Sequence, residues 1–391
     1  MNGDAPRRAG DPAIAAAKAR FAALGSGIDA RVPEVRVRCS RMMIVVIEAT
    51  GLVMLDYATR ECVDCSDAAL ALLTAAHAWQ GAAALLDAVE GADRRELASE
   101  ASGLVEGGFL VVEDSELAGF EARYEALWEW DVRAGLYHFS IKDADWMSDA
   151  DRIADLAVRV EQRQPAPFWT TNEAYETVIP LERPSDDEGA FSILSRRRTI
   201  RLFTGKAVPR DAVRDCLYAG LAITGFIDEP VPGMGRLPLK MTPSGGARNP
   251  YEAYLYARDV EGIPPGVYHY SALENSLGLV VPAPLPPAHE LLGGQDWTDG
   301  AAAVVLLVAD FRRTAWKYSH PNVYRALFHE AGHIGQNVML AATARGLTAA
   351  PTVAVCDAVV ERLLGLDRIT QAVLYALVIG EPLPGARPGA Y

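Results

Sequence analysis

The sequence predicts an α+β protein, and the clearest signals lie in its C-terminal half. Residues 301–309 and 372–379 are unbroken apolar runs of the kind that forms strands buried on both faces. Residues 322–345 repeat apolar side chains at helical spacing and stop at Gly346, which predicts one long helix. Strands and helices are therefore expected to pack together in this half of the chain.

Shorter elements complete the same half. A strand is predicted at 251–257, and two more at 266–270 and 276–281 should form a hairpin. A helix is predicted at 211–222, with Asp211 as its N-cap. This half of the chain therefore contains both the strand-like and the helix-like spacing of apolar residues. It contains no internal repeat of solenoid length.

The chain is expected to divide into four parts. They are a poorly ordered segment at 1–30, a small module at 31–120, a helical connector with a linker at 121–189, and the mixed domain at 190–391. A short helix near 12–24 is the ordered element expected in the first part. The stretch 182–189 is polar and contains Pro and Gly, so it is the predicted linker before the last part.

The module at 31–120 resembles a winged helix. Its third predicted helix has as many acidic as basic residues, so a peptide-recognition role or a structural role is favoured over DNA binding. The predicted elements are strands at 35–38 and 42–47, which should pair, helices at 68–77, 82–89 and 94–105, and a closing strand at 107–112.

Composition argues against two classes of partner. The chain has 37 basic and 51 acidic residues and a formal charge of −14, whereas binding to nucleic acid phosphates requires a concentrated positive surface. The longest apolar run, at 301–309, has about half the length of a membrane-spanning helix. Neither nucleic acid nor a membrane is expected as a partner.

The five cysteines favour a reducing compartment. Cys62 and Cys65 form a lone C-x-x-C, with no second pair that would complete a zinc site. The N-terminal residues carry no recognisable secretory signal, and an odd number of cysteines does not suit a full set of disulfides. We therefore expect free thiols and a cytoplasmic protein.

Residues 329–333 spell H-E-x-x-H, the zinc protease motif. On a helix, His329 and His333 would share one face, and Glu330 would activate a zinc-bound water. A catalytic zinc also needs a third protein ligand, but Met339 stands where the third histidine of the extended motif should be. Glu361 could replace that ligand only from what is expected to be an ordinary surface helix. A metalloprotease is therefore disfavoured, and no metal is expected.

Four segments of the C-terminal half carry cationic or glycine-rich residues. They are 195–201, 243–250, 317–318 and 380–382, and the first contains three consecutive arginines. Taken singly, each has an ordinary explanation, such as a solvated cationic face or a tight turn. Their order along the chain is more informative than any one of them.

In this order they resemble the nitroreductase-like flavoproteins, and within them the SagB-type dehydrogenases that oxidise ribosomally made peptides. The resemblance covers roughly residues 190–385 and implies an FMN-binding dehydrogenase domain at 190–391. Because the last family motif begins at Glu330, the preceding His329 completes an H-E-x-x-H by coincidence. The matching motifs are R-R-[ST]-x-R at 197–201, P-S-G-G-A-R at 243–248, G-x-Y-H-Y at 266–270, K-Y at 317–318 and E-x-G-H-x-x-Q-N at 330–337.

The resemblance implies FMN as the cofactor and a homodimer as the assembly. Positive charge suits the flavin phosphate and the N1–C2=O edge, and glycines let the backbone approach the ring. In similar enzymes the glycine-rich loop comes from the partner subunit. The implied cofactor-binding residues are Arg197, Arg198, Thr199, Arg201, Pro243, Ser244, Gly245, Gly246, Arg248 and Gln336.

Lys317 and Tyr318 match the catalytic pair of the peptide dehydrogenases. A lysine acts as a general base only when its pKa falls well below about 10.4, through burial or through cations such as Arg312 and Arg313. Tyr318 would orient the substrate or share the proton. The chain departs from the family at 354–357, where the usual aromatic residue is missing.

The implied reaction is a two-electron dehydrogenation of a ribosomally synthesised, modified peptide, most simply thiazoline or oxazoline to thiazole or oxazole. The implied partners are a modified precursor peptide and a cyclodehydratase complex. One alternative is an NAD(P)H-dependent nitro or quinone reductase that acts on small molecules. Another is a catalytically inactive protein that binds peptide within a modification complex.

Overall fold

The computed structural model describes residues 10–27, 32–49, 51–144, 146–162, 189–228, 235–318 and 320–389. These residues fall into two units. The first unit comprises Met1–Lys142, Tyr318–Asn322 and Asp367–Thr370, and the second comprises Asp143–Lys317, Val323–Leu366 and Gln371–Tyr391. Of the predicted linker at 182–189, all but Gly189 lies outside the described residues.

The first unit is built from helices and two small antiparallel sheets, with strand orders β5-β1-β6 and β2-β3-β4. Several helices begin at a side-chain cap; at Asp93, for example, the carboxylate accepts hydrogen bonds from two backbone N–H groups. The elements are α1 (Pro12–Gly25), β1 (Arg36–Cys39), β2 (Met43–Glu48), β3 (Gly51–Asp56), β4 (Glu61–Asp64), α2 (Asp67–Ala75), β5 (Gln80–Gly81), α3 (Ala82–Asp87), α4 (Arg94–Glu106), β6 (Leu110–Val112), α5 (Glu116–Leu127) and α6 (Val132–Ser140).

The predicted pairing of the strands at 35–38 and 42–47 is wrong. β1 pairs with β5 and β6, and β2 pairs with β3. The difference follows from burial: Val37 on β1 is fully buried and lies opposite Val112 on β6, which is buried as well. β2 is largely exposed and takes the local hairpin partner. The winged-helix resemblance of this unit stays a prediction.

The N-terminal helix belongs to the core of the first unit. The short helix predicted near 12–24 is confirmed as α1, which buries Ala17, Phe21 and Leu24. It approaches α4 closely, since a Cβ on Gly25 would lie 3.0 Å from the Cβ of Ala98. The apolar side chains of α1, which recur at helical spacing, therefore form part of the core of the first unit.

The connector predicted at 121–189 begins too early. The helices α5 and α6 belong to the first unit. Their aromatic side chains Phe120, Tyr124 and Phe139 pack in one cluster with Met42 and Tyr57. Buried aromatic side chains contribute strongly to the stability of a core. Their burial explains why α5 and α6 belong to the first unit and not to a connector.

The second unit surrounds a six-stranded antiparallel sheet with the strand order β11-β10-β9-β12-β14-β13. The predicted α+β class is confirmed. The elements are α7 (Asp149–Gln162), α8 (Gly189–Arg196), α9 (Arg210–Leu221), β7 (Ile223–Ile227), β8 (Leu237–Lys240), β9 (Tyr251–Ala257), β10 (Gly266–Ser271), β11 (Ser276–Pro282), α10 (Ala288–Leu291), β12 (Ala303–Asp310), α11 (Phe311–Ala315), α12 (Tyr324–Ala344), β13 (Thr348–Thr352), α13 (Asp357–Leu364) and β14 (Gln371–Gly380).

The register of the central strands defines two ends of this sheet. At the Tyr251 end, β9 begins and Tyr251 lies opposite Ala309 of β12. At the Ala257 end, β9 finishes and Ala257 lies opposite Ala303. The eight residues of β12 span about 25 Å at the usual rise of a strand. Side chains that follow opposite ends of these strands are therefore far apart within one chain.

The helices α9 and α12 approach each other at Gly220. A Cβ on this glycine would lie 2.8 Å from a methyl carbon of Val338 and 3.2 Å from one of Ile334. Both neighbours are buried on α12. The contact therefore requires the absence of a side chain at position 220.

Gly220→Ala should lower the free energy of unfolding by about 1–3 kcal/mol, because the added methyl group overpacks this contact. The matched control is Gly332→Ala on α12, where a Cβ meets no atom within 4 Å. That control should raise stability by about 0.5–1 kcal/mol, the gain for Ala over Gly in a helix. Urea unfolding followed by circular dichroism measures both changes. Equal midpoints for the two variants would contradict the close helix contact.

In the part of the chain that the structure describes, no helix combines the length and the apolar composition that a membrane crossing requires.

Candidate functional site

The segment 243–249, here called the glycine loop, leads into β9 at the Tyr251 end of the sheet. Its backbone turns sharply, with positive φ at Gly246 (61°), Ala247 (56°) and Asn249 (48°). The Asn249 N–H donates to the Ser244 Oγ at 2.8 Å and closes the turn. Glycine adopts such a φ without steric cost, which explains its presence at position 246.

The glycine loop is fastened to α12 through Glu330. The Ser244 hydroxyl donates to the Glu330 Oε2 at 2.9 Å, and the Gly245 N–H also donates to this carboxyl group. Only 6% of Glu330 is exposed. Burial raises the pKa of Glu330 to about 7, although the hydrogen bonds from the loop and the charge of Lys240 act in the opposite direction.

The glycine loop also contacts the predicted catalytic lysine. The exposed Lys317 lies just beyond α11, and its Nζ donates to the Gly246 carbonyl at 3.5 Å. The Arg248 Nε donates to the Arg313 carbonyl at 2.7 Å. The Arg248 guanidinium stands 4.6 Å from the centre of the Trp316 ring. The structure therefore brings two of the four predicted segments, 243–250 and 317–318, into contact.

The two cations expected beside Lys317 have carboxylate partners of their own. Arg312 pairs with Asp310 at 2.6 Å, and Arg313 pairs with Glu252. Glu252 also contacts the His269 Nε2 at 2.8 Å. Burial would raise the pKa of Glu252, but Arg313 and His269 outweigh burial and lower it. These partners offset much of the positive charge near Lys317, and Lys317 itself is exposed. The burial and the cationic surroundings expected for a lysine base are therefore not provided by one chain alone.

Tyr318 is held by its main chain in the first unit. Its carbonyl accepts a hydrogen bond of 2.9 Å from the indole N–H of Trp130, and its side chain is half-buried. The boundary between the two units falls between Lys317 and Tyr318. The catalytic role of both residues stays a prediction.

The residues 197–201, here called the arginine segment, lie along the start of the edge strand β13. The Ile200 N–H donates to the Thr348 Oγ1 at 3.4 Å. The Arg197 Nη1 donates to the Thr199 Oγ1 at 3.3 Å. Arg198 turns back, and its Nη1 donates to the carbonyls of Ser195 and Arg197. Arg197 and Thr199 are therefore better placed than Arg198 to donate to a ligand.

The end of β14 supports the arginine segment. The Arg201 guanidinium lies 5.4 Å from the centre of the Trp297 ring, against which Phe203 stacks. Phe203 occupies the space that a side chain on Gly380 would fill, since a Cβ there would lie 2.6 Å from its ring. The Thr204 hydroxyl donates to Glu381 at 2.9 Å. The residues just after the arginine segment, Phe203 and Thr204, thus contact the fourth predicted segment.

These two halves of the predicted cofactor site lie at opposite ends of the sheet. The arginine segment contacts Thr348, which pairs with Gly380 at the Ala257 end. The glycine loop lies at the Tyr251 end, about 25 Å away along the strands. One chain therefore does not present its own arginine segment and its own glycine loop to the same flavin ring.

A cavity of about 540 Å³ lies beside β13. The indole N–H of Trp146 donates to the Val355 carbonyl at 3.3 Å. The Gln295 Oε1 is buried and has no hydrogen-bond partner among the residues described. No sequence pattern predicted this cavity. Its clearest signal in the sequence is the Gly293–Gly294 pair, and both glycines have a positive φ in the structure. The lining residues are Trp146, Met147, Gly293, Gly294, Gln295, Pro351, Thr352, Val353, Ala354 and Tyr375.

The H-E-x-x-H stretch separates its glutamate from its histidines. His329 and His333 are exposed, whereas Glu330 is buried against the glycine loop. Glu361, the conceivable third ligand, lies on α13 and is fully buried, so the expected surface helix is wrong at this residue. Within the described ranges, no three His, Cys, Asp or Glu side chains are arranged to hold a metal ion.

Gln336 lies midway along α12 and is half-buried. Its neighbour Asn337 donates through Nδ2 to the Ala219 carbonyl of α9 at 3.0 Å. The helix face that carries Gln336 is thus fixed relative to α9. A flavin contact by Gln336 stays a prediction.

Comparison with known proteins identifies the family. The nitroreductase family profile matches residues 194–381. The Methanocaldococcus jannaschii protein MJ1384, whose name places it with the nitroreductases, is 30% identical over 161 residues, covering 40% of this chain and 73% of that protein. The chain belongs to the nitroreductase family. The second unit therefore carries the nitroreductase fold, and the predicted family is confirmed.

The chain is also similar to a trifolitoxin-processing protein and to a chain of a solved microcin synthetase complex. The trifolitoxin-processing protein TfxB of Rhizobium leguminosarum bv. trifolii is 32% identical over 146 residues. The match covers 36% of this chain and 39% of TfxB, so it spans well under two thirds of that relative. The solved E. coli microcin synthetase McbBCD complex with truncated pro-MccB17 includes a chain that is 22% identical, with a TM-score of 0.40. That match covers 60% of this chain and 92% of the other.

Proposed function

We propose that this chain is an FMN-dependent dehydrogenase that oxidises a ribosomally made, modified peptide. The observation that carries the proposal is the contact between the Lys317 Nζ and the Gly246 carbonyl. It joins the K-Y segment, which matches the catalytic pair of SagB-type dehydrogenases, to the loop expected against the flavin. The similarity to a trifolitoxin-processing protein supports a peptide substrate.

The residues present fit FMN by the chemistry of their donors. A flavin phosphate and the N1–C2=O edge require positive charge and hydrogen-bond donors. Arg197, Thr199 and Arg201 supply both at the edge strand β13. In the glycine loop, Gly245 and Gly246 carry no side chain that would keep the backbone from a flat ring. These five residues would hold the cofactor.

Each site is proposed to combine residues from two chains. Within one chain the arginine segment and the glycine loop lie at opposite ends of the sheet, about 25 Å apart. A symmetric dimer brings the glycine loop of one subunit to the arginine segment of the other. A dimer of this kind is obligate, and its interface is expected to exceed about 2,000 Å².

The proposed reaction converts an azoline ring to an azole. FMN, when bound, supplies the acceptor for a hydride and its two electrons. Lys317 removes the proton from the ring carbon that bears the adjoining peptide carbonyl, while the neighbouring ring carbon loses the hydride, so that a ring C=C bond forms. The carbonyl of Gly246 positions the lysine amino group. Tyr318 orients the peptide or shares this proton. The substrate is a modified precursor peptide, and the cyclodehydratase that forms the azoline is the expected cytoplasmic partner.

A reductase that takes electrons from NAD(P)H and passes them to a small nitro compound or quinone is the second candidate. The family assignment favours it, because the name of MJ1384 refers to that activity. Consumption of NADPH in the presence of a quinone, with no change in an azoline peptide, would select this candidate. A peptide-binding protein without activity would show neither reaction.

The purified protein should be yellow and should carry FMN rather than FAD or zinc. The double variant Arg197→Ala/Arg201→Ala should lose FMN affinity by at least about tenfold, because each guanidinium would donate charge-assisted hydrogen bonds to the bound cofactor. Absorbance in the flavin bands and the mass of the released cofactor measure this result.

Two controls accompany this measurement. Arg198→Ala should weaken FMN binding much less, because the Arg198 guanidinium contacts main-chain carbonyls of its own segment. His329→Ala should retain activity, since His329 is exposed on α12. Stoichiometric zinc without flavin, with activity lost in His329→Ala, would support a metalloprotease instead.

A further inference from the structure

Glu330 occupies the junction between α12 and the glycine loop. Its carboxyl group accepts hydrogen bonds from the Ser244 hydroxyl at 2.9 Å and from the Gly245 N–H. The same Ser244 oxygen accepts the N–H of Asn249 at 2.8 Å. One buried carboxyl group therefore fixes both the start and the closing contact of the loop.

We propose that Glu330 is a positioning residue whose carboxyl group holds the glycine loop closed against α12 and thereby places the Gly246 carbonyl that contacts Lys317. Its link to catalysis rests on the proposed function. The closure of the loop does not, because each contact in it lies within this chain. Glu330 acts through the loop and touches neither the peptide nor the cofactor in this proposal.

Other contacts hold the loop at its far end. Arg313 donates to the Asn249 carbonyl at 2.9 Å, and Arg248 donates to the Arg313 carbonyl at 2.7 Å. These bonds hold the exit of the loop to α11. The start of the loop, at Ser244 and Gly245, depends on Glu330. Loss of this attachment should free the turn around Gly246 while its exit stays in place.

The charged and titratable groups around Glu330 determine how closure responds to pH. Lys240 on β8 faces the carboxyl group, and burial lowers the pKa of Lys240 itself. Tyr251 on β9 lies nearby; burial, followed by the charge of Glu330, raises the pKa of its hydroxyl. Glu252 and Arg313 lie beyond Lys240. Burial dominates at Glu330, which has a pKa of about 7 in the closed loop.

This environment sets the sign of the pH dependence. A glutamate that is solvated in the open loop returns to its ordinary pKa of 4.5, so protonation favours the closed loop. The stabilising contribution is complete below pH 4.5 and is lost as the pH rises through about 7. From pH 6 to pH 8, the equilibrium constant for opening should rise about tenfold.

Amide hydrogen exchange of the full-length protein as purified tests this proposal. After correction for intrinsic rates, the amides of Gly245 and Asn249 should lose protection about tenfold from pH 6 to pH 8 in the native protein. Glu330→Gln imitates the protonated acid and should abolish this response while keeping protection at pH 8. The exposed Glu290 provides the control: Glu290→Gln should keep the tenfold response.

Three outcomes would overturn the proposal. They are a native loop whose protection does not change with pH, an unchanged pH response in Glu330→Gln, and equal loss of protection in that variant at every pH. The last outcome would indicate a structural role alone. Glu330→Asp, which keeps the acid on a shorter side chain, should retain a pH response with weaker protection. None of these measurements requires flavin or peptide, so a failure of the proposed function would be seen separately, as the absence of FMN.

Discussion

Lys317→Ala should give a folded protein that retains FMN but oxidises its peptide at least 100-fold more slowly. Removal of a general base typically lowers a rate by about 10²–10⁴. The side chain is exposed and contacts the glycine loop through its Nζ, so its truncation leaves no cavity in the core. The rate is measured by mass spectrometry, as the loss of two hydrogens from an azoline-bearing peptide.

Lys317→Arg separates two roles that the alanine variant cannot distinguish. A guanidinium can still donate to the Gly246 carbonyl, but it stays protonated and cannot accept the substrate proton. If Lys317 is a base, both variants should be slow. If Lys317 only makes an electrostatic contact, the arginine variant should be active. The control is Lys18→Ala, which removes an exposed lysine paired with Glu106 in the first unit. Native turnover in a flavin-replete Lys317→Ala protein would refute the catalytic assignment.

The sequence predicted the elements of the second unit that carry strong local signals. β12 and β14 are unbroken apolar runs, and both are largely buried at the centre of the sheet. β13 was not predicted, because it has only five residues and contains Pro351. Proline is tolerated there since β13 is an edge strand. The short strands β7 and β8 were missed for a similar reason: they are mostly exposed and lack a buried apolar face.

The family motifs predict which segments form the site, and the structure places two of these segments, 243–250 and 317–318, in contact. The sequence could not show that Glu330 lies against Ser244, because this contact joins residues that are 86 positions apart. It also could not show the separation of the arginine segment from the glycine loop, which follows from strand register. Register depends on pairing across the whole sheet, and no local pattern encodes it.

The sequence also could not show that the first unit includes α5 and α6. The helices α5 and α6 have ordinary helical patterns, which indicate that one face is buried but not against what. Phe120 and Phe139 pack with Tyr57, which is distant in sequence. A connector and a core helix therefore look alike until the partner of the apolar face is known.

Two inactive variants should restore activity when they are combined in one dimer. The Arg197→Ala/Arg201→Ala chain lacks cofactor contacts, and the Lys317→Ala chain lacks the proposed base. When each site takes the arginine segment from one subunit and Lys317 from the other, a mixed dimer has one site with both defects and one intact site. The mixed dimer, purified away from both homodimers, has one intact site of two, so it should show about half of native activity per dimer.

The control for this complementation combines two defects on the same side of the proposed site. Gly246→Val alters the glycine loop, which contacts Lys317 within its own chain. Mixed dimers of Gly246→Val and Lys317→Ala then carry one defect in each site, and activity should not return. The experiment is done by co-expression with two different affinity tags, and the mixed dimer is purified through both. No recovery with the arginine variant would mean that one chain builds the whole site, which the distance of about 25 Å between the two ends of the sheet opposes.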